Sequence, residues 1–118
     1  MPTMNLLNLK EIQQLIDEMG DAAAEIIDDL VNSLENDAVR SLGEMHDAID
    51  QGDAQQLRKS AHRLKGSCAS LGAVQAASLC QELEALGGSG NIEQAAPIVE
   101  YLETVCADSI HALRELSL

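Results

Sequence analysis

The sequence predicts an all-α protein, an antiparallel four-helix bundle with a short additional helix at its N-terminus. Apolar residues recur every three or four positions along almost the whole chain, and no stretch shows the alternation typical of a strand. Glycines divide this pattern into segments of helical length joined by short loops. The hydrophobic fraction is 46% and Tyr101 is the single aromatic residue, so the expected core is aliphatic. We expect one domain over residues 1–118.

The first two helices are predicted from capping signals and apolar stripes. The first covers residues 9–19, with Asn8 as its N-cap and Gly20 as its end. Asp21 is expected to cap the second helix, which continues to a break at Gly52. The apolar stripe of the second helix is Ile26, Ile27, Leu30, Leu34, Ala38, Leu42, Met45 and Ile49.

The remaining three helices follow the same logic. Asp53 caps the third, which ends or bends at Gly72 and has the core stripe Leu57, Ala61, Leu64, Cys68 and Leu71. The fourth buries Ala76, Leu79, Cys80, Leu83 and Leu86, and is expected to stop at a flexible loop, Gly87-Gly88-Ser89-Gly90. The last helix starts between Ile92 and Pro97, because proline fits only the first turn of a helix, and runs to about Leu116.

Composition excludes several classes of function. The chain has 7 Lys and Arg against 20 Asp and Glu, a net charge of -13, so it would repel nucleic acids and anionic lipids. No apolar run approaches the ~20 residues of a membrane span, and no export signal is visible. We therefore expect a soluble, cytoplasmic, monomeric protein without nucleic-acid or membrane partners. Cys68, Cys80 and Cys106 form no CxxC pair and are expected to be reduced core residues.

One segment departs from the overall charge. Between Ala54 and Gln81 there is no Asp or Glu, while four of the seven basic residues lie within eight positions: Arg58, Lys59, Arg63 and Lys65. This segment carries +4 and the rest of the chain -17. An acidic protein with one basic island is suited to attract an anionic group at that place, although a chance cluster on a solvated helix would look the same.

On a helical wheel, His62 lies at the centre of this basic island. The core residues Leu57, Leu64 and Leu71 fall ~140° to ~180° away from it, so the imidazole is predicted to face solvent. Arg58, Lys59, Lys65 and Gly66 lie within about 60°, Arg63 lies at ~100°, and Ala69 and Ala73 lie in line with it if the helix continues. His46 and His111 have no such neighbours.

Gly66 requires an explanation, because glycine inside a helix costs about 0.5–1 kcal/mol relative to alanine. Either a partner approaches the backbone closely at this position, or a neighbouring helix of the same bundle does. The sequence leaves both explanations open.

An exposed imidazole among cations is suited to accepting a phosphoryl group on a ring nitrogen, since the cations offset the charge that arrives. A general-base role would need a substrate pocket and a second catalytic group, and neither is visible. A metal site is disfavoured, because Cys68 lies ~120° around the helix from His62 and the spacing of six does not suit helical ligands.

The run Ala61-His62-Arg63-Leu64-Lys65-Gly66-Ser67, followed by Leu71-Gly72-Ala73, resembles the signature of histidine-containing phosphotransfer (HPt) domains of bacterial multistep phosphorelays. The resemblance continues through Cys80-Gln81-Glu82-Leu83-Glu84. It covers about residues 30–87 well and the rest by helical layout only. Two departures are that Gly88 stands where some relatives carry a basic residue, and that the second helix lacks a Phe.

The resemblance implies that His62 takes a phosphoryl group on Nε2 from a receiver-domain aspartate and passes it to another receiver. Lys65 would stabilise the phosphoryl charge, Gly66 would leave room for the receiver, and Glu84 would bond Nδ1. Arg58, Lys59, Arg63, Ala69 and Ala73 are expected on the docking surface. The implied partners are response-regulator receivers and a hybrid sensor histidine kinase. No cofactor is expected, since Mg²⁺ belongs to the receiver in this family.

Two other interpretations remain. The chain could be a helical adaptor that binds a signalling partner through the same face without carrying phosphate. It could also be the phosphotransfer module of a larger kinase, although Met1 and the absence of kinase sequence favour a free-standing relay protein or an excised C-terminal domain. Whether it is free-standing or part of a kinase, a phosphotransfer protein is expected to be an intermediate of the relay and not a self-sufficient enzyme.

Overall fold

The computed structural model describes residues 6–116 and contains five α-helices in this range. These are α1 (Leu9–Met19), α2 (Ala23–Gln51), α3 (Ala54–Ser70), α4 (Val74–Ser89) and α5 (Ala96–Arg114). Short 3-10 turns at Gly20–Ala22 and Ile92–Gln94 precede α2 and α5. The described residues form no strand, so the predicted all-α class is confirmed.

Helices α2 to α5 form the predicted antiparallel four-helix bundle. Each packs against the next in chain order, and α5 closes the ring against α2. The largest fully buried side chains come from all four helices and from the turn after α3: Met45, Leu57, Leu64, Leu71, Leu83, Leu102 and Leu113. Burial of each contributes about 1.5–3 kcal/mol. The stripe predicted for α3 is buried along its whole length, which turns the opposite face of α3 to solvent.

The capping signals hold at most helix ends. Asn8 and Asp53 each accept a hydrogen bond from the backbone N–H three residues later, at 3.2 and 3.0 Å. Gly52 ends α2 in the left-handed conformation at φ 69. Asp21 does not cap α2, because the chain passes through a 3-10 turn and Ala22 takes the cap position without a side-chain hydrogen bond.

The inner face of α2 is rotated slightly from its predicted position. Ile27 and Val31 are buried, whereas Ile26 and Leu30 are 38% and 37% exposed. Val31 follows Ile27 by four positions and takes the inward place that the stripe assigned to Leu30.

Helix α4 continues through the segment that was predicted to be a flexible loop. It extends to Ser89, and Gly90 ends it at φ 79. A Cβ at Gly87 would lie 2.7 Å from the carbonyl oxygen of Ala54 and 2.8 Å from the backbone nitrogen of Arg58. The loop prediction is wrong because Gly87 is a packing residue, where the start of α3 approaches the backbone of α4.

Helix α1 is seated on the turn between α3 and α4. The backbone N–H of Asn8 donates to the carbonyl oxygen of Gly72 at 2.8 Å. Gly72 has a φ of 69, and a Cβ there would lie 2.9 Å from Cγ1 of Ile12. This contact fixes the turn that sets α3 and α4 side by side.

Candidate functional site

His62 lies in the middle of α3, on the face opposite the core. Its side chain is 69% exposed, while Leu57 and Leu64 of the same helix are fully buried. The predicted exposure of the imidazole is therefore confirmed. The helical period alone determines it, because the buried stripe fixes the rotation of α3.

Glu84 of α4 holds one nitrogen of the His62 ring. Nδ1 of His62 lies 3.0 Å from Oε2 of Glu84. An ionised carboxylate can only accept a hydrogen bond, so Nδ1 carries the proton. In the neutral ring Nε2 then has the lone pair, and within residues 6–116 it makes no hydrogen bond. The contact proposed from the resemblance is present, and it leaves Nε2 as the accessible nucleophile.

Lys65 holds the other oxygen of the same carboxylate. Its Nζ donates to Oε1 of Glu84 at 2.7 Å, so Glu84 bridges the lysine and the histidine. The hydrogen bond from Lys65, opposed by partial burial and supported by His62, keeps the pKa of Glu84 below its ordinary value of 4.5. Glu84 is therefore ionised at neutral pH, as the argument for the His62 tautomer requires.

The basic island divides into paired and unpaired cations. Lys65 pairs with Glu84, and the guanidinium of Arg63 pairs with Glu44 of α2. Partial burial raises the pKa of Glu44, but hydrogen bonds from Ser60 and Arg63 outweigh it and lower the pKa overall. Arg63 thus belongs to a contact between α2 and α3 at the edge of the site.

Arg58 and Lys59 form no ion pair with any residue in the range that the structure describes. Both line a shallow depression of about 300 Å³ together with His62 and Glu84. Two of the four positive charges of the island are therefore available beside the imidazole.

Gly66 is exposed, and a Cβ added to it would meet no atom within 4 Å. Tight packing of a neighbouring helix is thus not the reason for this glycine, which leaves the backbone of α3 open to solvent at this position. Gly66 and Ala69 instead line an open groove of about 460 Å³ beside Lys65, between α3 and α4.

The far side of this groove was not predicted. It is formed by Val74, Ala77, Ser78 and Gln81 of α4, with Glu11 of α1 at one end. The positions on α4 precede Glu84 by ten, seven, six and three residues, a spacing that keeps them on one side of the helix. Once Glu84 is placed beside His62, the helical period of α4 therefore predicts which of its residues face this groove.

Ala73 is not part of this surface. Helix α3 ends at Ser70, Ala73 is the N-cap residue of α4, and its side chain is fully buried. The prediction that Ala73 lies in line with His62 is wrong, because it assumed that α3 continues past the turn at Gly72.

Within residues 6–116, no other histidine is joined through a glutamate to a lysine. His46 pairs with Glu103 at 2.8 Å, and His111 lies 3.9 Å from Glu115. Cys68, Cys80 and Cys106 are reduced and buried. The described residues contain no cluster of three His, Cys, Asp or Glu side chains that could hold a metal ion. None of the helices in this part of the chain is long and apolar enough to cross a membrane.

Two comparisons with known proteins gave matches. The sequence model of the Hpt domain matches residues 7–116. The fold is similar to the crystal structure of histidine-containing phosphotransfer protein B (HptB) from Pseudomonas aeruginosa PAO1, with a TM-score of 0.81 and 29% sequence identity. That match covers 95% of this chain and 94% of the HptB chain. A search of curated proteins gave no match.

Proposed function

The chain belongs to the Hpt domain family, and on that basis we propose that it carries a phosphoryl group on Nε2 of His62, between one receiver domain and another. Hpt domains are intermediates of phosphorelays and interact with receiver domains. The observation that carries the assignment to His62 is the hydrogen bond of its Nδ1 to Glu84 at 3.0 Å. In the neutral ring that bond places the proton on Nδ1 and leaves the lone pair on Nε2, on a side chain that is 69% exposed.

The transfer forms one bond and breaks one bond. The lone pair on Nε2 attacks the phosphorus of the receiver's aspartyl phosphate, and the P–O bond to the aspartate breaks with its electron pair leaving on the carboxylate. The ring keeps its proton on Nδ1 and becomes positively charged. The carboxylate of Glu84 offsets this charge through a hydrogen bond that strengthens as the ring becomes cationic. Attack by a second receiver's aspartate on the same phosphorus reverses these steps.

Lys65 has two roles in this proposal. Its hydrogen bond at 2.7 Å holds Glu84 against His62, and its ammonium lies one helical turn from the phosphorylated ring. The incoming phosphoryl group carries about -1.5 to -2 charges, which a nearby ammonium stabilises. Loss of Lys65 is expected to slow transfer while the bundle stays folded, because Lys65 and Glu84 are both partly exposed and lie outside the buried core.

The receiver would dock over α3 and α4. The groove beside Gly66 and Ala69 offers an apolar surface adjacent to His62, and Arg58 and Lys59 offer unpaired positive charge. A receiver's phosphorylation site is acidic, so the signs are complementary. We propose the receiver of a hybrid sensor kinase as donor and a response regulator as acceptor, both cytoplasmic. Mg²⁺ would be held by the receiver, and this chain would act as a monomer without a cofactor.

Labelled phosphate tests the proposal directly. A receiver domain labelled with ³²P is mixed with the wild type and with His62→Gln, and the adduct is followed on gels. The wild type should gain an acid-labile, base-stable label, and His62→Gln should gain none. His46→Gln is the matched control, since His46 is also an exposed histidine bonded to a glutamate, at 2.8 Å. It should be labelled like the wild type.

The same experiment separates the relay from the adaptor. If a panel of receivers from the source organism binds the chain but never labels it, the adaptor interpretation is correct. Label that survives His62→Gln would also contradict the proposal. A circular-dichroism melt of each variant excludes unfolding as the cause.

A further inference from the structure

We infer that Arg58 contacts the phosphoryl group on His62 itself, as a phosphate-binding residue beyond its general contribution of charge to docking. This inference rests on the proposed function. The helices α3 and α4 run antiparallel. A step of one turn back along α3 is therefore matched by a step of one turn forward along α4. His62 faces Glu84, and one turn away Arg58 faces Gly88.

Arg58 packs against the end of α4, where Gly87 and Gly88 carry no side chains. A Cβ at Gly88 would lie 3.7 Å from Cδ of Arg58, so the arginine stem rests on the part of α4 that has no side chain. Gly87 brings the two backbones together at the same place, since its hypothetical Cβ would lie 2.9 Å from Cβ of Arg58. The stem of Arg58 is thus supported along α4 and does not extend freely into solvent.

Arg58 borders the His62 site and is free to offer its charge there. Arg58 lines the depression that also contains His62 and Glu84, and i, i+4 positions on a helix are about 5–6 Å apart at Cβ. The guanidinium has no carboxylate partner among residues 6–116. A planar guanidinium matches two phosphate oxygens with two parallel N–H donors. Arg63, on the same helix, cannot do this while Glu44 holds it.

Phosphate binding and docking have different effects on the equilibrium of the transfer reaction. A residue that only helps the receiver to dock changes the forward and reverse rates equally, because docking precedes transfer in both directions. A residue that binds the phosphoryl group on His62 also changes the equilibrium partition of phosphate between the receiver and this chain. The partition is therefore the quantity that distinguishes the two roles.

The experiment measures that partition with the full chain and a phosphorylated receiver, at concentrations below the dissociation constant of their complex. Arg58→Ala should shift the phosphoryl group toward the receiver by roughly three- to tenfold, the size expected for a charge-assisted contact at an exposed site. Arg58→Lys should recover only part of the shift, because an ammonium lacks the bidentate geometry. ³¹P NMR of the phosphorylated chain should show a higher phosphoryl pKa in Arg58→Ala.

Two variants serve as controls. Arg63→Ala removes the same charge from the same helix and should leave the partition unchanged, and Lys59→Ala should slow both directions equally. An unchanged partition in Arg58→Ala, or an equal shift in Arg63→Ala, overturns the inference while His62 still becomes labelled. If the wild type is never labelled on His62, the proposed function itself fails.

Discussion

Gly66→Ala is predicted to stabilise the protein and at the same time to impair phosphotransfer. A Cβ at Gly66 meets no atom within 4 Å, so alanine introduces no clash and recovers the helix propensity that glycine lacks, about 0.5–1 kcal/mol. The midpoint of thermal unfolding should rise by about 2–6 °C. A receiver that approaches the backbone here would meet the new methyl group at a cost of about 1 kcal/mol or more, which slows transfer roughly fivefold or more.

The assays are thermal and urea unfolding followed by circular dichroism, and the rate of label transfer from a phosphorylated receiver. Gly43→Ala is the matched control, because Gly43 is also exposed in the middle of a helix with nothing within 4 Å of its Cβ position. Gly43 lines neither depression beside His62. It should give the same gain in stability with normal transfer. Transfer by Gly66→Ala at the rate of Gly43→Ala would refute the argument, as would a loss of stability.

Two further predictions concern α4. Gly87→Ala should destabilise the fold by about 1–3 kcal/mol in urea unfolding, because its Cβ would lie 2.7 Å from a backbone oxygen of α3. Gly88→Ala makes only an ordinary contact at 3.7 Å and should be neutral or stabilising in the same assay. Equal effects of the two substitutions would contradict the close approach of the helices at Gly87. The pKa of Glu84 is lowered from 4.5 in the folded state, so its stabilisation is fully present above pH 4.5 and is lost as the pH falls through the folded value. Glu84→Gln should therefore be less stable than the wild type at pH 7, and the difference in their free energies of unfolding should shrink near pH 3. A difference that is constant with pH would show that the carboxylate charge contributes nothing to stability.

The sequence predicted those features that depend on local periodicity. The exposure of His62 follows from the buried stripe of α3, and the start of α3 follows from Asp53, whose side chain accepts a backbone hydrogen bond at 3.0 Å. Neither requires knowledge of how the helices are arranged. The signature around His62 also identified Glu84, which the periodic pattern alone would not have placed beside the ring.

The features that were missed depend on contacts between helices. Gly87 was interpreted as a helix breaker because glycine is equally typical of a helix end and of a close backbone approach, and only the position of α3 decides between them. The sequence predicted that α3 ends or bends at Gly72 but could not choose between them, and the close approach of Ile12 of α1 to Gly72 accompanies the end. The pairing of Arg63 with Glu44 likewise needs the relative rotation of α2 and α3.

The tight turn between α3 and α4 has a consequence for folding kinetics. Only Leu71, Gly72 and Ala73 separate the two helices, and His62 and Glu84 are 22 residues apart in the chain. Closing so short a loop costs little entropy, and helical hairpins with local contacts form quickly. We expect His62 and Glu84 to come together early in each folding event, before α5 completes the longer closure onto α2.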